Sequence, residues 1–213
     1  MKIVIVEDEL LFRDVLLKVC ATDLGHEILG VAATGREALQ IVPATSPDLL
    51  ILDLQLPDAH GLDVLASLRR KQALLRTLVI SVTCDEYTVY RVEHAAVQGF
   101  LDKSTNTVSE LRVAIAAIER GSTHFSPVYQ KAKLARSRDP LAFDKVLTPR
   151  EQTVLALLGE PMSDVEIAGR LALSPETIEK HRFNIMRKLS LNSRVEMARY
   201  ARRCGLTRAN NRA

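Results

Sequence analysis

Tryptophan is absent from this chain of 213 residues, and aromatic residues make up only 4% of it. Surfaces that hold sugars or single-stranded bases by stacking need such rings, so both are disfavoured. Cysteine is scarce as well. Cys20, Cys84 and Cys204 are an odd number set far apart. They form neither a disulfide framework nor a clustered zinc site, which points to a reducing compartment. Long apolar runs are also missing. No stretch approaches the roughly 18 residues of a membrane span, and Ile3 to Val6 is too short for the apolar part of a signal peptide. A cytoplasmic protein without a membrane partner is expected.

What the sequence does contain is a globular composition, with 47% hydrophobic and 26% charged residues. Its length suits two domains. The net charge of +3 hides an asymmetry: residues 1–121 carry 12 Lys and Arg against 17 Asp and Glu, whereas residues 122–213 carry 17 against 9. An acidic part joined to a basic one suggests a regulatory or catalytic module tethered to a nucleic-acid binder.

The acidic part alternates short apolar runs with helical patterns. Strands are expected at Ile3–Val6, Glu27–Ala32, Leu49–Leu52, Leu78–Ser81 and Gly99–Leu101. Helices fall between and after them, the second stopped by Pro43. Continuously apolar strands separated by helices predict a doubly wound, five-stranded parallel sheet covered on both faces (α/β, flavodoxin-like), with function at the strands' carboxyl ends. Residues 122–143 read as a linker with a short helix at Val128–Arg136. From residue 144 to 213 only helices are expected. Thr148-Pro149-Arg150-Glu151 and Ser174-Pro175-Glu176-Thr177 are cap-then-proline starts, Ser193 caps a last helix, and Gly205 stops it. Four short basic helices favour a helix-turn-helix.

Glu7 and Asp8 follow the first strand and Asp53 ends the third, while Ser81 ends the fourth and Lys103 follows the fifth. A parallel sheet gathers these positions at one edge. Acids at strand ends often do no more than face solvent, but three around one cleft repel each other and suit a hard dication such as Mg²⁺. With a fixed cation at Lys103 and a hydroxyl at Ser81, such a cluster can hold a phosphoryl group in transfer to a carboxylate.

Residues 1–120 resemble the receiver domain of bacterial two-component response regulators through Val6-Glu7-Asp8, Asp53-Leu54-Gln55-Leu56-Pro57 with Gly61, and Phe100-Leu101-Asp102-Lys103. Residues 147–206 resemble the LuxR-type helix-turn-helix of the NarL/FixJ subfamily through Leu147-Thr148-Pro149-Arg150-Glu151, Glu166-Ile167-Ala168 and Thr177-Ile178-Glu179-Lys180-His181. The resemblance implies that Asp53 is the phosphoacceptor, served by a partner sensor histidine kinase. It implies Mg²⁺ on Asp8, Asp53 and the main-chain carbonyl of Gln55, supported by Glu7. Ser81, 28 residues after Asp53 and 22 before Lys103, matches the switch hydroxyl, and Lys103 its salt-bridge partner. Phe100 matches the switch aromatic; Thr83 and Gln55 occupy positions that tune hydrolysis of the phosphate. Two positions depart from the pattern: Ser104 stands where proline is frequent, and Val82 where Ala or Gly is usual.

On a helix of 100° per residue, Ile178, Ile185 and Leu189 share an inner face while Lys180, Phe183, Asn184 and Arg187 point away. That pattern suits either a recognition helix in a major groove or a solvated amphipathic helix. By family position Glu179, Lys180 and Phe183 reach bases, and Thr177, Arg182, Arg187 and Lys188 serve backbone contacts or support. Glu179 stands where many relatives have Lys, and its carboxylate suits a cytosine amino group. The last helix, with Val195, Met197, Ala198 and Ala201, resembles a dimerising helix. A homodimeric regulator of double-stranded promoter DNA is therefore expected, switched by phosphorylation and capable at most of slow self-dephosphorylation. A regulator controlled by dimerisation or a partner alone is the second reading, and a Mg²⁺-dependent phosphatase the last.

Overall fold

The computed structural model describes residues 1–70, 74–105 and 107–207; residues 208–213, the end of the expected basic domain, lie outside them. Two compact units are present, one built from Met1–Cys84 and Arg91–Lys131, the other from Asp85–Tyr90 and Ala132–Ala213.

In the first unit β1 (Lys2–Val6), β2 (Glu27–Ala32), β3 (Leu49–Asp53), β4 (Arg76–Ser81), β5 (Gly99–Asp102) and β6 (His124–Phe125) form one sheet of order β2-β1-β3-β4-β5-β6. Every pairing is parallel. The apolar runs explain the burial. Ile3, Ile5, Leu49, Ile51, Leu78, Ile80 and Leu101 lie on one face and share a core with Leu16, Val19, Leu111, Ile115 and Ile118. The alternate residues Val4, Val6, Leu50, Leu52 and Val79 are equally inaccessible, as a sheet covered on both faces requires. The order reverses between β1 and β3, where their carboxyl ends lie side by side with Val6 opposite Leu52. Such a reversal opens a crevice for ligands.

Helices α1 (Leu10–Leu17), α2 (Gly35–Thr45), α3 (Gly61–Arg69), α4 (Glu86–His94) and α5 (Val108–Glu119) connect the strands. Three details differ from the sequence reading. First, α1 runs on into a π-helical segment, Lys18–Asp23, which carries the buried Cys20. Second, Pro43 does not stop α2. It lies within the last turn, where few backbone bonds remain to be lost; the helix ends at Ser46, left-handed at φ 49°, with its N–H on the Val42 carbonyl. Third, the sheet has six strands among the described residues, where five were expected. The linker supplies β6, pairing His124 with Gly99 and Phe125 with Phe100, and then α6 (Pro127–Arg138), longer than the expected helix. Two residues without a period-2 pattern carry no strand signal of their own.

In the second unit a short α7 (Phe143–Val146) precedes α8 (Pro149–Leu158), α9 (Asp164–Leu171), α10 (Pro175–Leu189) and α11 (Arg194–Arg203). Thr148 and Ser163 form capping boxes with Glu151 and Glu166, satisfying amide groups that a helix start leaves open. Ala172 (φ 52°) ends α9, and Ser174 with Pro175 starts α10 within three residues, the turn of a helix-turn-helix. Gly205, at φ 77°, ends the last helix where a left-handed residue is needed. Phe143, Val154, Leu155, Ile167, Ile178, Ile185, Leu189, Met197 and Ala201 make the shared core. Met197 and Ala201 are thereby spent inside the unit, and only Val195 of the apolar residues expected to dimerise is strongly exposed, at 58%.

Candidate phosphoacceptor site and nucleic-acid interface

Register assembles the first site. Val6 lies opposite Leu52, Asp53 opposite Ile80, and Ser81 opposite Asp102. Residues 7, 8, 53, 81 and 103 therefore sit on one rim. Lys103 Nζ donates to Glu7 Oε1 and to Asp53 Oδ2, each at 2.8 Å. All three side chains are almost inaccessible, at 6%, 1% and 3%. The Lys103 ammonium also lies 4.8 Å from the centre of the Phe12 ring, a partner that no spacing in the sequence indicated. Asp8, the most open of the three acids, brings a carboxylate oxygen within 4.8 Å of those of Glu7 and Asp53.

The electrostatics are those of a crowded anionic cleft with the Lys103 cation between two of its acids. Burial, aided by the Asp53 charge, pushes the Glu7 carboxyl up to about 7 against the pull of Lys103. Burial likewise raises Asp53. Burial alone lowers a lysine, but the hydrogen bonds to Asp53 and Glu7 outweigh it and hold Lys103 above its ordinary value. Glu7 Oε2 is buried without a hydrogen-bond partner among the described residues. An orphaned carboxylate oxygen beside two further carboxylates is the environment a hard dication satisfies.

Backbone geometry shapes the floor of this cleft. The Gln55 amide donates to Asp53 Oδ1 at 3.0 Å, wrapping the chain after β3 around the acid. Gly61 closes the same loop, its N–H on the Leu54 carbonyl at 2.9 Å. A Cβ at Gly61 would lie 2.2 Å from the Asp53 carbonyl oxygen, so only glycine permits this approach. Ser81 is fully buried, and its hydroxyl lies 3.2 Å from that of Thr83 and accepts from the Thr83 amide. The two hydroxyls are thus bonded to each other.

Phe100 is fully buried. Its ring lies 5.1 Å from that of Tyr129 on α6, which stacks at 4.8 Å on Phe125 of β6. Tyr129 is 2% exposed and went unnoticed in the sequence, where only the apolar spacing of Phe125, Val128 and Tyr129 hinted at a packed segment.

The second site is the outer face of α10. Ile178, Ile185 and Leu189 point into the core as expected. Glu176, Glu179, Lys180, Phe183 and Arg187 are exposed, Thr177 is half-buried, and Asn184 is half-buried beside the stripe. Lys188 donates to Glu151 Oε2 at 2.7 Å, tying the end of α10 to the capping box of α8. Arg182 pairs with Asp164 at 3.4 Å. The stripe that remains outward combines one aromatic ring, two acids and two cations.

Comparison with known proteins agrees with this geometry. The response regulator receiver domain model matches residues 3–116, and that of the bacterial regulatory proteins of the luxR family matches residues 145–201. The chain is 31% identical over 195 residues to a nitrate/nitrite response regulator protein homolog of Haemophilus influenzae, covering 92% of this chain and 93% of that one. It is 32% identical over 198 residues to the transcriptional regulatory protein UhpA of Escherichia coli, covering 92% and 95%. Among solved structures, RcsB of Salmonella enterica serovar Typhimurium, bound to a promoter in the presence of a phosphomimetic, shares the fold with a TM-score of 0.68 at 22% identity, over 94% of this chain and 97% of that one. No helix among the described residues is long and apolar enough to cross a membrane. The chain belongs to the bacterial two-component response regulators that join a receiver to a LuxR-family DNA-binding domain, and it is a DNA-binding transcriptional regulator.

Proposed function

We propose that Asp53 accepts a phosphoryl group from the phosphohistidine of a sensor histidine kinase and that this changes dimerisation and promoter binding. The observation that carries the reading is Lys103, held at 2.8 Å from both Glu7 and Asp53 at the carboxyl end of a parallel sheet. An Asp53 oxygen attacks phosphorus, the phosphorus–nitrogen bond breaks, and the leaving imidazole takes up a proton. Asp8, Asp53 and the Gln55 carbonyl are the groups to hold Mg²⁺, with Glu7 in support. When bound, that ion neutralises the transferring oxygens. Lys103 keeps one fixed positive charge on the acceptor. Ser81 turns from Thr83 toward the new phosphoryl oxygens, and Phe100 responds to its departure. Thr83 and Gln55 border the acyl phosphate and set its slow hydrolysis, which ends the signal.

The homodimer presents two copies of α10 to double-stranded DNA. Lys180 and Arg187 supply cations, Glu179 and Phe183 face the bases, and Thr177 lies at the helix start. Lys188 contributes only as far as its bond to Glu151 allows. Reaction with a small phosphodonor and Mg²⁺, followed on a phosphate-affinity gel, tests the first step. Wild type should gain one hydroxylamine-labile phosphate and Asp53→Asn none; equal labelling of both proteins, or no labelling of the wild type, would overturn it. Duplex binding measured on the same samples should change with the label, and binding identical in all samples would leave control by dimerisation or a partner alone.

A further inference from the structure

The outward stripe of α10 has a chemical composition that specifies more than an affinity for phosphate. Phe183 is 65% exposed, the only aromatic ring on the outer face of this helix. Its neighbours at one-turn spacing are Glu179, Lys180 and Arg187, all exposed. A surface that covers this ring must be apolar at one point and anionic where Lys180 and Arg187 flank it. The major groove of duplex DNA offers that combination at one group, the thymine 5-methyl, with phosphates on either side. Glu179 stands four residues before Phe183 on the same face, its side chain 70% exposed and loosely paired with Arg182 at 3.9 Å. An ionised carboxylate only accepts, and the groove donor it suits is the cytosine 4-amino group. Four residues of helix advance about 6 Å, against about 3.4 Å per base along a strand. The two side chains therefore address bases roughly two steps apart.

We infer that Phe183 reads a thymine methyl and Glu179 a cytosine amino group within one half-site, so that the preferred target contains both bases at this separation. The inference rests on α10 being the helix that enters the groove, and it adds the base chemistry to that reading. It also gives this chain a specificity distinct from that of an all-cationic recognition helix, which would favour guanine.

The test is selection of duplexes from a randomised pool by the full-length phosphorylated protein, followed by scanning each thymine of the selected half-site to deoxyuridine. The exchange removes a methyl and keeps the pairing. Wild type should lose about threefold to fivefold in affinity at one position, the value of one buried methyl. Phe183→Ala should bind the thymine and uracil duplexes equally. Glu179→Gln should move the preference at a second position from cytosine to adenine, the base an amide pairs with, while keeping the thymine discrimination. Deoxyuridine tolerated by the wild type at every position would overturn the role of Phe183, as would a Phe183→Ala protein that still discriminates. An unchanged consensus for Glu179→Gln would overturn the role of Glu179. A wild type that enriches no duplex overturns the placement of α10 itself, an outcome distinct from the others. The uridine scan needs no variant, so a substitution that fails to fold does not spoil it.

Discussion

Replacing Lys103 by methionine keeps the unbranched apolar stem of the side chain and deletes the ammonium between Glu7 and Asp53. Both carboxylates then lie buried, 1% and 3% exposed, without their cation. Removing one partner of a buried pair costs about 3–5 kcal/mol, and a single ammonium serving two acids places the loss toward the upper end. The cost depends on pH. Glu7 already holds its proton up to about 7, chiefly because it is buried, and without Lys103 it holds the proton more tightly. An acid whose folded value exceeds its unfolded value destabilises the fold increasingly as pH rises from the unfolded value, 4.5, through the folded one. In EDTA the variant should therefore lose least near pH 5 and most near pH 8. Hydrogen exchange of β1 and β3 peptides across a urea gradient isolates this unit from the helical one. With an m-value of about 2 kcal/mol/M, the protection midpoint at pH 8 should fall by about 2 M. Mg²⁺ should then recover more stability in the variant than it adds to the wild type, since a dication replaces the missing charge. A loss below about 1 kcal/mol at pH 8, or one equal at pH 5 and pH 8, would refute the account of the cleft as an anionic cluster balanced by one lysine.

Gly61→Ala places a methyl 2.2 Å from the Asp53 carbonyl oxygen. A helix start would otherwise gain up to about 1 kcal/mol from alanine; here a loss of about 1–3 kcal/mol is expected by denaturation, with slower labelling of Asp53. Burial raises Glu151, but its bonds to Lys188 and Thr148 outweigh this and hold it below the ordinary value. Its stabilisation is thus present above pH 4.5 and lost as pH falls through the folded value. Glu151→Gln keeps the cap and loses the pair with the partly exposed Lys188, about 0.5–1 kcal/mol, and should flatten the acid side of a melting profile of the helical unit. Tyr129→Ala removes the ring against Phe100 and Phe125 and should cost about 3 kcal/mol locally. Amide protection of β5 and β6 should drop while that of β1 stays.

The sequence carried the sheet because strands buried on both faces read as unbroken apolar runs, as Ile3–Val6 and Leu49–Leu52 do. It carried the helix starts because capping is local chemistry, as at Thr148-Pro149-Arg150-Glu151 and at Ser174. It also indicated which residues meet around Asp53, since a parallel sheet leaves little freedom at strand ends. Features decided by tertiary partners were not legible. The strand at His124–Phe125 exists through the edge of β5, not through its own pattern. Pro43 is tolerated because α2 ends two residues later. Lys188, assigned to DNA from its position, is taken up by an acid 37 residues away. Phe12 meets Lys103 only once α1 has folded against the sheet.

The sixth strand has a consequence for the division of the chain. The amide groups of His124 and Ser126 engage carbonyls of Gln98 and Phe100 that would otherwise face outward from β5. A chain severed after Gly121 would keep every residue of the phosphoacceptor cleft, yet it would bare that row of carbonyls together with the Phe100 ring. An open row of this kind is a template for any passing strand. The piece that looks like a self-sufficient module on paper is thus the sticky one, and the linker belongs to it as a hem belongs to cloth, keeping the last thread from pairing with a neighbour.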